Sequence, residues 1–275
     1  LDVLAEAYFG KEGYGRPILG PASNVSAFTR GDIQSYIAER YNPQNIVVSF
    51  AGNIDEKYAE EIVEKYLESG MKKRAYSARE KKISLARGNL VRTKDIEQVH
   101  IALAYPSLPR EHELMDAAQI ANVVLGGGMS SRLFQIVREK LGLAYSVYSY
   151  ISSFTEGGML TVYAGVNPKN TKKALDAILG CIGEMRKDGL TQDEFLRGKE
   201  QLKSSFILGQ ENTASQMILY GKHMLYTGDV YDFDGRVAKI DAITKEDCER
   251  AISLNFDAAS LAAAAVGKID RPLAL

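Results

Sequence analysis

Seven positions separate Arg138 from Tyr145, and the text between them, VREKLGLAYS, runs from a helical pattern through a glycine into a β-branched and aromatic alternation. A helix–turn–strand of this length can bring a guanidinium and a phenol to one edge, where their donors could hold a peptide carbonyl. On spacing alone, an amphipathic helix with Arg138 solvated or ion-paired reads equally well. The histidines His100, His112 and His223 offer less. His112 opens HELMD, but its i+4 position is Asp116, and a metal-binding helix needs a second histidine on that face. His100 lies in a strand pattern and His223 in a helical one, so both read as structural or surface residues, and no metal ligand is assigned. Gly126, Gly127 and Gly128 lie between two helical patterns. They lack the preceding strand and the G-K-[ST] of a phosphate cradle and read as a flexible turn. Cys181 and Cys248 are far apart and outside any ligand spacing, which fits a reducing compartment. No Ser-His-Asp or Cys-His order is defensible.

The elements that would position these residues belong to a globular chain. Of 275 residues, 45% are apolar and 25% charged, a balance that can bury a substantial core. A formal net charge of −1 gives no attraction to nucleic acid or anionic lipid. No apolar stretch approaches the ~18 residues of a membrane span. Residues 1–9 read as the end of a helix. Thr29 and Asp32 have capping-box spacing ahead of a helix that Asn42-Pro43 stops. Residues 45–52, NIVVSFAG, read as a buried strand, and Asp55 caps a helix through Leu67. The basic stretch 71–90 reads as a solvated linker. Beyond it come a strand (99–107), helices at 112–125 and 130–141, and a hairpin of 143–152 with 158–166. A helix then starts at Pro168. A second capping box, Thr191 and Glu194, opens a long helical region broken near Asn212-Thr213, whose Met217, Tyr220 and Met224 read as core. Short helices near 231–240 and 245–254 lead to a final strand at 259–266. The pattern is α+β.

An internal repeat lies beneath it. The block from Phe28 to Asp55, FTRGDIQSYIAERYNPQNIVVSFAGNID, aligns without a gap on Ile243–Asp270, ITKEDCERAISLNFDAASLAAAAVGKID, at an offset of 215. Thr29 matches Thr244, Asp32 matches Asp247, Tyr41 matches Phe256, and the final Gly52-x-Ile54-Asp55 recurs as Gly267-x-Ile269-Asp270. At this offset Leu1 corresponds to Gln216. Roughly 125 residues of the first copy then have no representative in the chain.

The stretch GGGMSSRLFQIVREKLGLAYSVYS strongly resembles the second-domain signature of the insulinase/mitochondrial-processing-peptidase family. These are the pitrilysin-like or inverted-zincin metallopeptidases, and the small bacterial processing-protease branch is closest. GRPILG (15–20), the 29–55 block and QENTASQMILYGKHMLYTG followed by KIDAITKEDCERAI support it in order and spacing. The resemblance implies two homologous domains, each an antiparallel-rich sheet flanked by helices: a first domain partly present at 1–70, a linker at 71–90, and a second, substrate-binding domain at 91–275. It implies a zinc endopeptidase acting on flexible or unfolded peptides inside a closed chamber. The single zinc would sit on a His-x-x-Glu-His helix upstream of Leu1, and this chain alone would be inactive. Arg138 and Tyr145 match the family's pair that holds the substrate backbone and stabilises the tetrahedral intermediate, with Gly126, Gly127 and Gly128 as a substrate-binding loop. A homodimer or heterodimer with a family member, a peptide substrate and a cytoplasmic setting follow from the same resemblance. A non-catalytic partner subunit of that family is the alternative, and a peptide-binding scaffold unrelated to hydrolysis is a third reading.

Overall fold

A computed structural model describes residues 1–67 and 83–275. Most of the expected linker at 71–90 falls outside the described residues. Five strands form one sheet in the order β1-β5-β2-β4-β3: β1 (Asn89–Thr93), β2 (Val99–Ser107), β3 (Ala144–Ser153), β4 (Gly158–Val166) and β5 (Ala262–Gly267). All neighbours are antiparallel except β1 and β5. Alternation along β2 sorts its residues between two layers. Ile101, Leu103 and Tyr105 join the main core with residues of α5 (Met115–Gly126), α6 (Thr171–Asp188) and α10 (Lys245–Asn255). Ala102 and Ala104 face the other way, where with Ala262, Ala264 and Met159 they pack against Val3, Leu4, Ala7, Tyr8 and Phe9 of α1 (Asp2–Phe9). The small side chains on that face let a helix lie close to the strands. Residues 86 and 88 donate their amides to the carbonyls of Tyr8 and Ala7, so the chain entering β1 is tied to α1. Strand β1, which lacks an alternating signal, was not anticipated.

The remaining helices are α2 (Ala22–Ala27), α3 (Arg30–Arg40), α4 (Glu56–Tyr66), α7 (Gln192–Gly209), α8 (Thr213–Thr227) and α9 (Phe233–Ala242). Two compact units result. One comprises Leu1–Ile18, the described part of Lys81–Leu202, and Lys239–Leu275. The other comprises the described part of Leu19–Glu80 and Lys203–Ala238.

The repeat is visible in backbone detail. Thr29 and Thr244 each cap a helix through a complete capping box, with identical backbone angles of φ −100° and ψ 166°. Single 3-10 turns follow at Pro43–Asn45 and Ala258–Ser260, capped by the side chains of Asn42 and Asp257. Gly52 and Gly267 close both blocks at φ 136° and 146°, where Ile54 and Ile269 donate back to their carbonyls. Each pair keeps the offset of 215.

The structure also departs from the sequence reading elsewhere in the fold. Residues 46–50, expected as part of a buried strand, form no strand and pair with none among the described residues, and Val47, Val48 and Phe50 are exposed. Their β-branched and aromatic side chains favour extension, yet a ladder also needs a neighbour. Met217 and Tyr220, expected in the core, are each 37% exposed. The helix expected over 112–125 starts only at Met115, because the His112 ring accepts the Leu114 amide (3.1 Å) and turns the chain there.

Candidate functional site

Arg138 and Tyr145 are brought together. Residues Phe134–Lys140 form a π-helix rather than the α-helix that the apolar spacing suggests. Its wide register shows where Leu141 donates to Ile136 five residues back. π-Helical turns are rare and concentrate at functional sites. Gly142, at φ 59°, then reverses the chain in the left-handed region that a Cβ disfavours, and β3 begins two residues later. The Arg138 guanidinium carbon ends 5.0 Å from the Tyr145 ring centroid and 4.7 Å from that of Phe134. A cation held against two rings keeps its planar orientation while its N–H groups stay available at the edge. Its ion-pair contact with Glu139, at 3.8 Å, is too long for a hydrogen bond. Tyr145 is 75% exposed and sits where the β3–β4 register shifts between Ala144 and Ser146, an irregularity of the kind that re-aims a side chain.

The segment carrying Arg138 is anchored at its start. Arg132 makes a bidentate contact with Glu194, Nε and Nη2 each donating over 2.7 Å, and Nη2 also donates to the Gly189 carbonyl (2.8 Å). Both side chains are largely buried. Glu194 also accepts the Thr191 amide in its capping box. The Arg132 hydrogen bonds outweigh desolvation and hold the Glu194 carboxyl down at about 2.

The three glycines do different things. Gly126 is the last residue of α5 and is buried, not part of a flexible turn. A Cβ there would lie 2.5 Å from the Ser149 amide nitrogen and from its Oγ, so α5 meets β3 at a distance only glycine permits. Gly127 would strike the Val123 Cα at 2.6 Å. Gly128 turns the chain, its carbonyl accepting from Ser131, while Gln135 donates to the Met129 carbonyl (2.7 Å). The loop is thus fastened to the helix that follows it, and Met129 projects from it, 74% exposed.

The other candidates stand elsewhere. His100 Nδ1 lies 2.6 Å from the Tyr163 hydroxyl, and the His223 ring meets Tyr231 edge-on at 5.0 Å. Burial pushes the Cys181 thiol up to about 11 and the Cys248 thiol up to about 12, so both stay protonated and unreactive. Among the described residues no group of three or more His, Cys, Asp or Glu side chains could hold a metal ion, and no helix is long and apolar enough to cross a membrane. Sequence reading missed an aromatic ladder on the sheet face that α1 leaves open. Tyr148 meets Tyr163 in a tilted contact at 4.9 Å, and His100, stacked on Tyr163 at 5.9 Å, extends the row. Alternation of Tyr148 with Tyr150 hinted at one strand's share; the cross-strand partners needed the register.

Comparison with known proteins identifies the family and the fold. Residues 27–202 match the family model described as the peptidase M16 inactive domain. The chain is 37% identical over 245 residues to an uncharacterized zinc protease of Bacillus subtilis, covering 89% of this chain and 59% of that protein. It is 37% identical over 253 residues to one from Streptomyces coelicolor, covering 90% and 55%. The chain therefore spans little more than half the length of these relatives. Among solved structures, the M16 inactive domain from Pseudomonas fluorescens superposes with a TM-score of 0.85 at 21% identity, over 98% of this chain and 65% of that one. A protease from Helicobacter pylori gives 0.80, also at 21% identity, over 96% and 64%. At such identities these two neighbours speak for the fold alone.

Proposed function

The chain belongs to the peptidase M16 family, matching its inactive domain, and from that premise we propose that it supplies the substrate-holding part of a zinc-dependent endopeptidase. The observation that carries this reading is Arg138, stacked between Phe134 and Tyr145. Its guanidinium and the Tyr145 hydroxyl are donors on one edge. They would bind the carbonyl of an extended peptide and strengthen their hold as charge develops on that oxygen in the tetrahedral intermediate. The loop at Gly126, Gly127 and Gly128 would border the same peptide. A homodimer or heterodimer with another family member would close the chamber and select flexible, unfolded substrates.

Zinc belongs to the relatives' names, and the described residues of this chain do not fit it. No ligand cluster is present among them, His100 pairs with Tyr163, and His112 accepts a backbone amide. On this reading the metal belongs to a part of the protein outside these residues. The family description as an inactive domain also supports a second reading, a non-catalytic partner subunit.

In the complete assembly, Arg138→Ala and Tyr145→Phe should each lower kcat/KM by about a hundredfold, the scale of losing one donor to an oxyanion. Both variants should keep the unfolding midpoint. Arg138→Lys should not restore activity, because an ammonium cannot reproduce the stacked planar fork. Unchanged kinetics would remove both residues from the site.

A further inference from the structure

Between α6 and the turn that leads into β5 lies a cavity of ≈ 390 Å³, to which β2 contributes Tyr105. Ile182, Phe256 and Leu261 are among its walls. An apolar hollow with a few placed polar groups is the usual form of a small-molecule site. Two polar groups are placed here, and both are donors.

Tyr105 is 3% exposed, with its ring edge-on to Phe256 at 5.6 Å. Its hydroxyl has no hydrogen-bond partner among the described residues, which is costly for a buried polar group. The charge of Arg186, on the same cavity wall, acts on that phenol, so the hydroxyl end is the one turned to the cavity. Burial pushes the phenol up to about 12, and at neutral pH it stays protonated and donates. Arg186, in the last turn of α6, makes no hydrogen bond or ion pair with a described residue. Asp257 feels its charge, but accepts from the Ala259 amide (3.0 Å) and the Ser260 hydroxyl (2.8 Å). A cation suits a helix C-terminus, yet the guanidinium N–H groups remain open. Gly183 lies on the same wall one turn earlier, and a Cβ there would meet nothing within 4 Å. Glycine inside a helix lowers stability relative to alanine; no close packing requires it here, and what it leaves is room.

We propose that this cavity binds a small monocarboxylic acid, its carboxylate received by Arg186 and Tyr105 and its apolar tail lying against Ile182, Phe256 and Leu261. No Asp, Glu, Asn, Gln or His side chain lines the cavity, so an acceptor head group meets donors alone. The fixed charge of the guanidinium selects an anion over a neutral acceptor. A phosphate would leave oxygens unsatisfied against apolar walls, whereas the two oxygens of a carboxylate match the two donors. All these residues lie within the unit that holds the sheet. The proposal needs neither zinc nor peptide hydrolysis and does not rest on the peptidase reading.

Calorimetric titration of the 275-residue chain with hexanoate tests it, beside 1-hexanol, which lacks the charge, and acetate, which lacks the tail. Hexanoate should bind saturably, one per chain, and at least about tenfold more tightly than either. Arg186→Gln should weaken hexanoate by about tenfold, the scale of one hydrogen bond to a charged group, and leave hexanol unchanged. Tyr105→Phe should weaken hexanoate by about fivefold and raise the unfolding midpoint of the empty protein, because it removes a buried hydroxyl without a partner. Gly183→Leu should fold, since leucine favours a helix, and abolish hexanoate binding by filling the cavity. Absence of saturable binding overturns the proposal, as does hexanol binding as tightly as hexanoate. Hexanoate bound equally by Gly183→Leu, or undiminished in Arg186→Gln, overturns it as well. N-acetyl-alanyl-leucine binding more tightly than hexanoate would give the site to a peptide C-terminus and overturn the assignment to a free acid.

Discussion

At the scale of single residues, the Arg132–Glu194 contact decides whether Arg138 is held in place. Truncating one partner of a buried, bidentate ion pair leaves the other's charge uncompensated, and Glu194→Ala should cost about 3 kcal/mol in urea unfolding. The pair also gives a pH signature. Glu194 has a carboxyl lowered from 4.5 to about 2, so its contribution is complete above the unfolded value and is lost as pH falls through the folded one. The stability gap between the wild type and Glu194→Gln should therefore be widest near neutrality and shrink as pH falls from about 4.5 toward 2. A gap that stays constant over that range would contradict the assignment. Sequence reading found Glu194 through its capping box with Thr191. It did not find Arg132 as the partner, because 62 residues separate the two and nothing local announces the meeting. Arg138 and Tyr145 were legible as a spacing, and the stack with Phe134 was not.

Among elements, caps were the most legible features, since each is closed by residues three apart. Thr29, Asp32, Thr191, Glu194, Thr244 and Asp247 all form the boxes their spacing suggests. Their worth differs with setting. Helix α10 lies in the main core, so Thr244→Ala should lower global stability by about 1 kcal/mol. Thr29→Ala, at the exposed α3, should reduce local helicity and leave the unfolding midpoint of the sheet unmoved, as circular dichroism and exchange at β2 would report. Helix-to-strand packing makes a second contrast. Gly126→Ala drives a methyl into Ser149 and should cost about 1–3 kcal/mol, the penalty for overpacking. Gly180→Ala, mid-helix in α6 with nothing within 4 Å, should instead stabilise by about 0.5–1 kcal/mol; equal effects on thermal midpoints would refute the packing argument. The π-register of Phe134–Lys140 escaped the sequence because a π-turn and an α-turn can share the same apolar spacing. The run 45–52 was read as a buried strand and is neither paired nor buried, since both depend on neighbours that the run itself does not specify.

For the whole molecule, the α+β class and the duplication were readable from periodicity and from a fixed offset, while the grouping of helices was not. An apolar face shows that a helix must be covered but not which sheet covers it. Helix α1, which precedes the first block, packs on β5 of the second, and α8, which precedes the second block, lies against Ser49 of the first. With only Asn42 buried among its described residues, the unit holding 19–67 and 203–238 should open first. In the 275-residue chain, amides of α3, α4 and α8 should exchange orders of magnitude faster than those of β2 and β4, and uniform exchange would argue against two separable units. The crossed placement of α1 and α8 also bears on inheritance. Each copy of the duplication wears the other's helix, so a recombination event that replaced, shuffled or dropped one copy would leave one sheet bare and one helix without a seat. Such a pair can drift in sequence, as these have, but its two halves must be passed on together.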